Sequence, residues 1–304
     1  MPCVDYGMTP LEGGYSGETF LATSAGERSV VRVYAGRGAQ RGAGAVEVDA
    51  AVLRLVRGLL PVPRVLELRR PDPAAGTPAL LVTSFLPGER LEVAWPRLRD
   101  DVRHTVAAAL GAALGRLAGV PMLRPGRFAD ADLRIERWPG AADLVGFVEE
   151  RRVGSALADW SEREYGGLLA AADRAQDLLD RVERSCLVHS DFNAKNLLVD
   201  AATGAVTGVV DWEFAHAGAP GADLGNLLRF DRDPLLVEGV LDSYLDVTAG
   251  LDGLDRARLL DQARAADLAA LMDLAARRGE NPVTERADAQ LRAVARDADL
   301  HAVP

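Results

Sequence analysis

A chain of 304 residues is about twice a typical domain, so it has room for one large fold or two lobes with a real core. Its 48% hydrophobic, 26% charged and 5% aromatic residues describe a globular protein and exclude a fibrous or disordered one. A formal charge of -10 argues against nucleic-acid binding by phosphate neutralisation and favours a cationic partner.

Cys3 and Cys186 are too few and too isolated for a disulfide framework or a zinc cluster, which fits a reducing, cytoplasmic setting. The N-terminus, MPCVDYGMTPLEGG, has neither a basic nor an apolar leader region, and no run of 18 apolar residues occurs, so neither a signal peptide nor a membrane span is expected. Arginine is used almost throughout, in the style of a GC-rich coding background. Among 35 basic residues the single lysine is Lys195, and two of the chain's four asparagines, Asn193 and Asn196, stand beside it.

The first third reads as a β-meander, with extended segments around Leu11, Phe20 and Val31 separated by glycine-containing turns. VEVDAAVLRLVRGLL follows as an amphipathic helix whose Val48, Val52, Leu55, Val56 and Leu59 share a face. Apolar runs at 65–68 and 80–85 supply more strands, and the small lobe is expected to end near Leu86. From Asp100 the pattern turns helical. DDVRHTVAAALGAALGRLAGV carries an apolar stripe, with Gly111 and Gly115 permitting close helix contact, and similar patterns cover 141–158, 162–184, 234–247 and 254–278. The fold class is thus α+β and bilobal, with an N-terminal lobe over 1–86 and a mainly helical lobe over 87–304.

One strand-rich segment, 186–212, interrupts the helices. Asn196 is followed by LLVD, the turn AATGA, VTGVV and Asp211, the pattern of a β-hairpin with Gly204 near its tip. Positions 196 and 211 are equidistant from its centre and should return to within roughly 5 Å of each other. Asp191, five residues before Asn196, can bring a second carboxylate to the same place. Two oxygen ligands around a small site, with other positions left for water and phosphate, is how Mg²⁺ is held in nucleotide enzymes. Asn196 and Asp211 suit the metal, and Asp191 suits the acceptor hydroxyl in a phosphoryl transfer.

HSDFNAKN and the later VVDWEF resemble, in that order, the loop and metal aspartate of the protein-kinase-like superfamily. DWE in place of DFG, continued by AHAGAPGADLGNLL, is similar to the aminoglycoside phosphotransferase and choline kinase branch. The resemblance covers most of the chain. It implies a kinase-like fold, ATP or GTP with Mg²⁺, and an acceptor that is a small molecule, because no long activation segment ending in APE follows Asp211.

The glycine-rich turn GGYSGET has backbone N–H groups, at Gly14 and Gly17, and the Ser16 hydroxyl to cap nucleotide phosphates; a plain hairpin turn accounts for it too. The resemblance places a phosphate-binding cation on the third strand, usually lysine, where this chain has Arg32, and a partner acid on the first helix. Glu47 and Asp49 compete for the latter, and Asp49 faces inward better. Ser84 and Phe85 fall where the family lines the nucleotide base pocket with backbone groups. His189 is expected to brace its loop by hydrogen bonding, Glu213 to assist the metal or form a salt bridge, and Asp223 to be structural. Lys195 has two open readings, a catalytic one in which it neutralises the transferring phosphate and one as a solvent-facing loop cation.

Acidic walls suit a small cationic hydroxylated substrate. Within the family that implies an aminoglycoside, or a tuberactinomycin peptide such as capreomycin or viomycin, inactivated by a resistant or producing actinomycete. The alternatives are a metabolic kinase for choline, homoserine or an amino sugar, and a nucleotide-binding pseudokinase scaffold. A monomer or a homodimer is expected, with no nucleic acid and no membrane partner.

Overall fold

The computed structural model describes residues 6–11, 19–35, 41–42, 44–251 and 253–304. In chain order the strands are β1 (Tyr6–Pro10), β2 (Thr19–Ser24), β3 (Glu27–Tyr34), β4 (Val65–Arg69), β5 (Ala79–Ser84), β6 (Glu89–Arg90), β7 (Pro121–Met122), β8 (Gly126–Phe128), β9 (Ile135–Glu136), β10 (Ser185–Val188), β11 (Leu197–Val199), β12 (Val206–Val209) and β13 (His216–Gly218). The helices are α1 (Ala45–Val56), α2 (Leu91–Ala94), α3 (Asp100–Ala118), α4 (Leu144–Arg152), α5 (Glu162–Leu179), α6 (Ala222–Leu228), α7 (Pro234–Val247), α8 (Arg256–Ala275) and α9 (Pro282–Asp297).

Two compact units result, and they do not follow one cut after residue 86. The first takes residues up to 102, then 127–136 and 194–215; the second takes 103–126, 137–193 and 216–304. The expected boundary differs because the 197–209 hairpin joins the first unit through backbone pairing: Leu198 pairs with Arg90 and Val199 with Glu89.

In the first unit an antiparallel sheet runs in the order β1-β2-β3-β5-β4. β3 is central, with Arg32 opposite Thr19 on one side and Leu81 on the other. α1 buries Val46, Val48, Asp49, Ala50, Val52, Leu53 and Val56. At about 100° per residue that face is centred on Asp49, and Leu55 lies about 120° away. Leu55 and Leu59, assigned to the inner stripe from sequence, are therefore exposed, Leu59 because the helix stops at Val56 ahead of Gly58 at φ 92°.

The second unit is mainly helical. Its core joins Trp160, Leu168, Leu268, Met272 and Leu291 from the segment before α5 and from α5, α8 and α9. α5 begins with a capping box between Ser161 and Glu164, which satisfies N–H groups that a helix start otherwise leaves open. α9 was not foreseen from its polar sequence; Asn281 caps it by accepting from Val283 and Thr284, and Pro282 opens it. The expected helix at 141–158 is divided between α4 and a short turn at 156–159. β10 pairs antiparallel with β7 and with β13. Among the described residues no helix is long and apolar enough to cross a membrane.

Gly111 and Gly115 of α3 do bring a helix close. A Cβ at Gly111 would lie 2.2 Å from the Val240 carbonyl oxygen of α7, and one at Gly115 would lie 2.8 Å from Val247. Gly166 in α5, by contrast, has nothing within 4 Å of that position. Gly111→Ala should therefore destabilise by about 1–3 kcal/mol through overpacking, whereas Gly166→Ala should stabilise by about 0.5–1 kcal/mol through chain entropy. Urea unfolding of the two variants beside the wild type measures both signs.

Candidate functional site

In the second unit β10 delivers His189, Ser190 and Asp191 from a buried strand. His189 is fully buried, and its backbone N–H donates to Asp223 Oδ2 at 2.7 Å; the Ser190 N–H donates to Asp223 Oδ1 at 2.8 Å. Two consecutive N–H groups pointing at one carboxylate require a sharp turn of the chain, and Ser190 adopts the left-handed region at φ 71°. Asn226, one turn after Asp223 on α6, donates to the Ser190 carbonyl at 3.4 Å.

The turn aims the next residue. The Asp191 N–H donates to His189 Nδ1 at 3.2 Å, which leaves the ring proton on Nε2 and makes His189 a brace, as its position suggested. Phe192 packs edge-on to that ring at 5.9 Å. Asn193 Nδ2 donates to Asp191 Oδ1 at 2.6 Å, and the Asn193 N–H to the Asp191 carbonyl at 2.9 Å. The Asp191 carboxylate is thereby fixed while its second oxygen is left out of that bond. Asn193 stood out in the sequence only by its rarity, and nothing there assigned it this contact.

In the first unit β11 and β12 form the expected hairpin, in a tighter register. Leu197 faces Val209, and the Val210 N–H donates to the Asn196 carbonyl at 3.0 Å, so Asp211 lies one residue beyond the position opposite Asn196. The turn sets the shift: the Asp200 N–H donates to the Ala205 carbonyl at 2.9 Å, a closure two residues short of the expected one, and a bulge between Leu198 and Val199 recovers one of them. Asp211 itself sits at φ 64°, a conformation that costs a non-glycine residue about 1–3 kcal/mol and that turns its side chain out of the strand alternation.

Arg32 Nη1 donates to Asp211 Oδ1 at 2.9 Å and its Nη2 to Glu213 Oε2. Burial alone would lower the Arg32 pKa, but the Asp211 and Glu213 charges outweigh it and hold the guanidinium above its ordinary range. Glu213 is pushed up, first by burial and then by the Asp211 charge, against the pull of Arg32 and Arg41. The buried Arg32 Nε has no acceptor among the described residues, so one N–H of the fork remains to be satisfied.

Asp49 meets a different arginine from the one expected. Arg41 grips it bidentately, at 2.8 and 2.7 Å, and the Tyr34 hydroxyl donates to it at 2.6 Å. Arg32 and Tyr34 lie two apart on β3 and share its face, but Tyr34 reaches α1 while Arg32 reaches the hairpin residues. Burial, then the Asp49 charge, pushes the Tyr34 hydroxyl well up, so it stays a donor. Arg41 carried no sequence signal, since the turn before α1 that presents it follows no periodicity. Glu47, the competing acid, is held by Arg70 at 2.6 Å.

Asp49, Asp211 and Glu213 against Arg32 and Arg41 leave one net negative charge when all are ionised. With Asn196 nearby the donor set is oxygen only, which fits a hard cation such as Mg²⁺ that keeps most of its ligands from water and phosphate. Among the described residues no group of three or more His, Cys, Asp or Glu gathers to hold a metal by itself. Gly14, Ser16 and Gly17 lie outside the described residues. The Ser84 N–H and hydroxyl are both engaged with Arg64, at 2.8 and 2.9 Å, so Ser84 has no backbone donor left for a base; Phe85 carries the Arg28 guanidinium 3.9 Å above its ring.

Residues 7–260 match the family described as phosphotransferase enzyme family. Over 207 residues the chain is 31% identical to an aminoglycoside 3'-phosphotransferase of Streptomyces fradiae, covering 66% of this chain and 70% of that protein. It is 26% identical over 219 residues to acyl-CoA dehydrogenase family member 10 of Mus musculus, covering 70% of this chain but 19% of that protein. A solved structure of a thermostable mutant of aminoglycoside phosphotransferase APH(4)-Ia, in ternary complex with ADP and hygromycin B, is similar at TM-score 0.66 and 19% identity, covering 96% of this chain and 93% of that one. That likeness shows the fold, a sheet unit and a helical unit of the protein-kinase-like kind.

Burial, against the bonds from the His189 and Ser190 N–H groups, pushes the Asp223 carboxyl up to about 7 from an ordinary 3.8. The folded protein then binds this proton more tightly than the unfolded chain, so its contribution is present at low pH and is lost as pH rises from about 4 to about 7. Asp223→Asn also leaves one N–H without an acceptor, costing about 1–3 kcal/mol. Its stability deficit against the wild type should shrink between pH 5 and pH 8; urea unfolding across that range checks it, and a constant deficit would mean an ordinary carboxyl.

Proposed function

As the chain belongs to the phosphotransferase enzyme family, we propose that it moves the γ-phosphoryl group of ATP or GTP to a hydroxyl of a small cationic antibiotic, an aminoglycoside or a tuberactinomycin peptide. The observation that carries this reading is Asp191, an acid held at one oxygen by Asn193 at the end of a turn that Asp223 clamps. A carboxylate fixed in this way can orient the acceptor hydroxyl and take its proton.

Asn196 and Asp211 hold Mg²⁺, with Glu213 assisting through the arginine they share. Bound there, the metal neutralises charge on the nucleotide phosphates. Arg32, whose Nε has no acceptor among the described residues, binds the phosphates in the place usual for lysine, and its planar fork suits an anion. Asp49 keeps Arg41 in the same charge network rather than touching Arg32. Gly14, Ser16 and Gly17 cap the phosphates, and Phe85 borders the base. Lys195 neutralises the transferring group.

The net charge of -10 favours approach of a polycation. The Streptomyces fradiae relative is named for phosphorylating an aminoglycoside, and the solved relative holds ADP beside hygromycin B. Such an enzyme works in the cytoplasm, where the nucleotide is. A metabolic alcohol as acceptor is the second reading.

Mass spectrometry of aminoglycosides, tuberactinomycins and small metabolic alcohols, each incubated with protein, Mg²⁺ and either nucleotide, tests the proposal; the antibiotics should gain one phosphate, and gain on metabolites alone would sink the antibiotic reading. In the same assay Asp191→Asn should lower turnover about 10²–10⁴-fold with nucleotide affinity unchanged. Lys195→Ala should lower kcat by about tenfold or more; unchanged kcat would assign Lys195 to the solvent-facing surface.

A further inference from the structure

The second unit contains a group of arginines that phosphoryl transfer does not use. Arg229 and Arg232 follow the end of α6, Arg264 and Asp267 lie one turn apart on α8, and together they line a small cavity. Its remaining walls are the apolar side chains of Leu268, Leu271, Val294 and Leu300 and the amide of Gln290, whose Nε2 donates to the Ala302 carbonyl.

The four charged groups are not matched. Arg229 spends Nε and Nη2 on the two oxygens of Asp267, at 2.7 and 2.6 Å, and that pair is buried and closed. Among the described residues Arg232 and Arg264 have no such carboxylate. Instead both donate through Nη1 to the same oxygen, the Leu228 carbonyl at the end of α6, at 2.9 and 2.5 Å. Two guanidinium groups are thereby drawn together on one acceptor. The buried Nη2 of Arg232 and the buried Nε of Arg264 have no acceptor among the described residues. Arg264 is 8% exposed, so water outside cannot serve it.

Three arginines against Asp267 leave two positive charges at the cavity; Asp231 beside Arg232 offsets one, and Arg286 on its other side restores it. Burial, then the Arg232 charge, lowers the Arg264 pKa to about 10, the response of a cation lacking its counter-ion. A neutral water would satisfy the two N–H groups but not the charge. The cavity is small, with room for about one water-sized particle, so a monatomic ion suits it better than phosphate, sulfate or a carboxylate.

We propose that this cavity is a binding site for a single small inorganic anion, chloride, held by Arg232 Nη2 and Arg264 Nε. The anion offsets one of the two positive charges of the arginines that grip the C-terminal end of α6, the helix whose first turn carries Asp223. Close contact fixes α6 against α8, since a Cβ at Gly225 would fall 2.1 Å from the Ala263 carbonyl oxygen. Chloride thus stabilises the α6–α8 pair from within the helical unit, whatever the acceptor of the phosphoryl group.

Two measurements on the full chain test this. Thermal unfolding at constant ionic strength, with sodium chloride replacing sodium gluconate, should show a saturable rise in Tm of about 2 °C or more, absent in Arg264→Met. Crystals soaked in sodium bromide should show an anomalous peak within hydrogen-bond distance of Arg232 Nη2 and Arg264 Nε. Equal Tm in the two salts together with no bromide peak in the cavity would overturn the proposal and leave a buried water there; the bromide measurement decides even where Arg264→Met fails to fold.

Discussion

A buried carboxylate that must be satisfied organises the helical unit. Asp223 is taken out of water at the start of α6, and its two oxygens are met by consecutive backbone N–H groups of His189 and Ser190. Ser190 adopts the left-handed region at that turn. The conformation is unfavourable for serine by itself and persists because the surrounding bonds over-determine it. Asp191 inherits its direction from that turn, and Asn193 and the His189 ring hold it.

The sheet unit solves a different electrostatic problem. Three acids and two arginines converge around β3, α1 and the 197–209 hairpin, and each arginine closes a fork on carboxylates rather than facing solvent. The result is a slightly acidic oxygen surface with one guanidinium N–H that has no acceptor among the described residues. Such a surface favours a hard cation and an anionic group together, which is the requirement of a metal–phosphate site. The strained Asp211 backbone belongs to the same set, since a side chain in ordinary strand alternation would point elsewhere.

Much of this was legible in the sequence because it is local. The HSDFNAKN loop, the hairpin and most long helices are set by spacing and apolar period, and the helix contact at Gly111 and Gly115 follows from a missing Cβ. Other features failed for identifiable reasons. α9 buries Ala287, Leu291, Val294 and Ala295 at helical spacing, but its buried face is built largely of alanine and also carries Thr284, Asp288 and Gln290, so the stripe is faint in sequence. The hairpin register differs because the turn closes on Asp200 and Ala205, a choice among similar small residues that spacing leaves open, and a bulge offsets part of it. Leu55 was placed inward by its hydrophobicity, whereas the buried face of α1 is centred on the charged Asp49.

The amino-acid sequence alone determined which residue types carry the chemistry, their order, and the local elements that present them. Only the tertiary structure decided which acid meets which arginine: Arg32 bonds Asp211 across 179 residues of chain, while Arg41 takes the Asp49 that the family resemblance pairs with Arg32. Periodicity constrains neighbours along an element, but the choice between equivalent salt-bridge partners depends on packing and burial, and those exist only once the chain has folded.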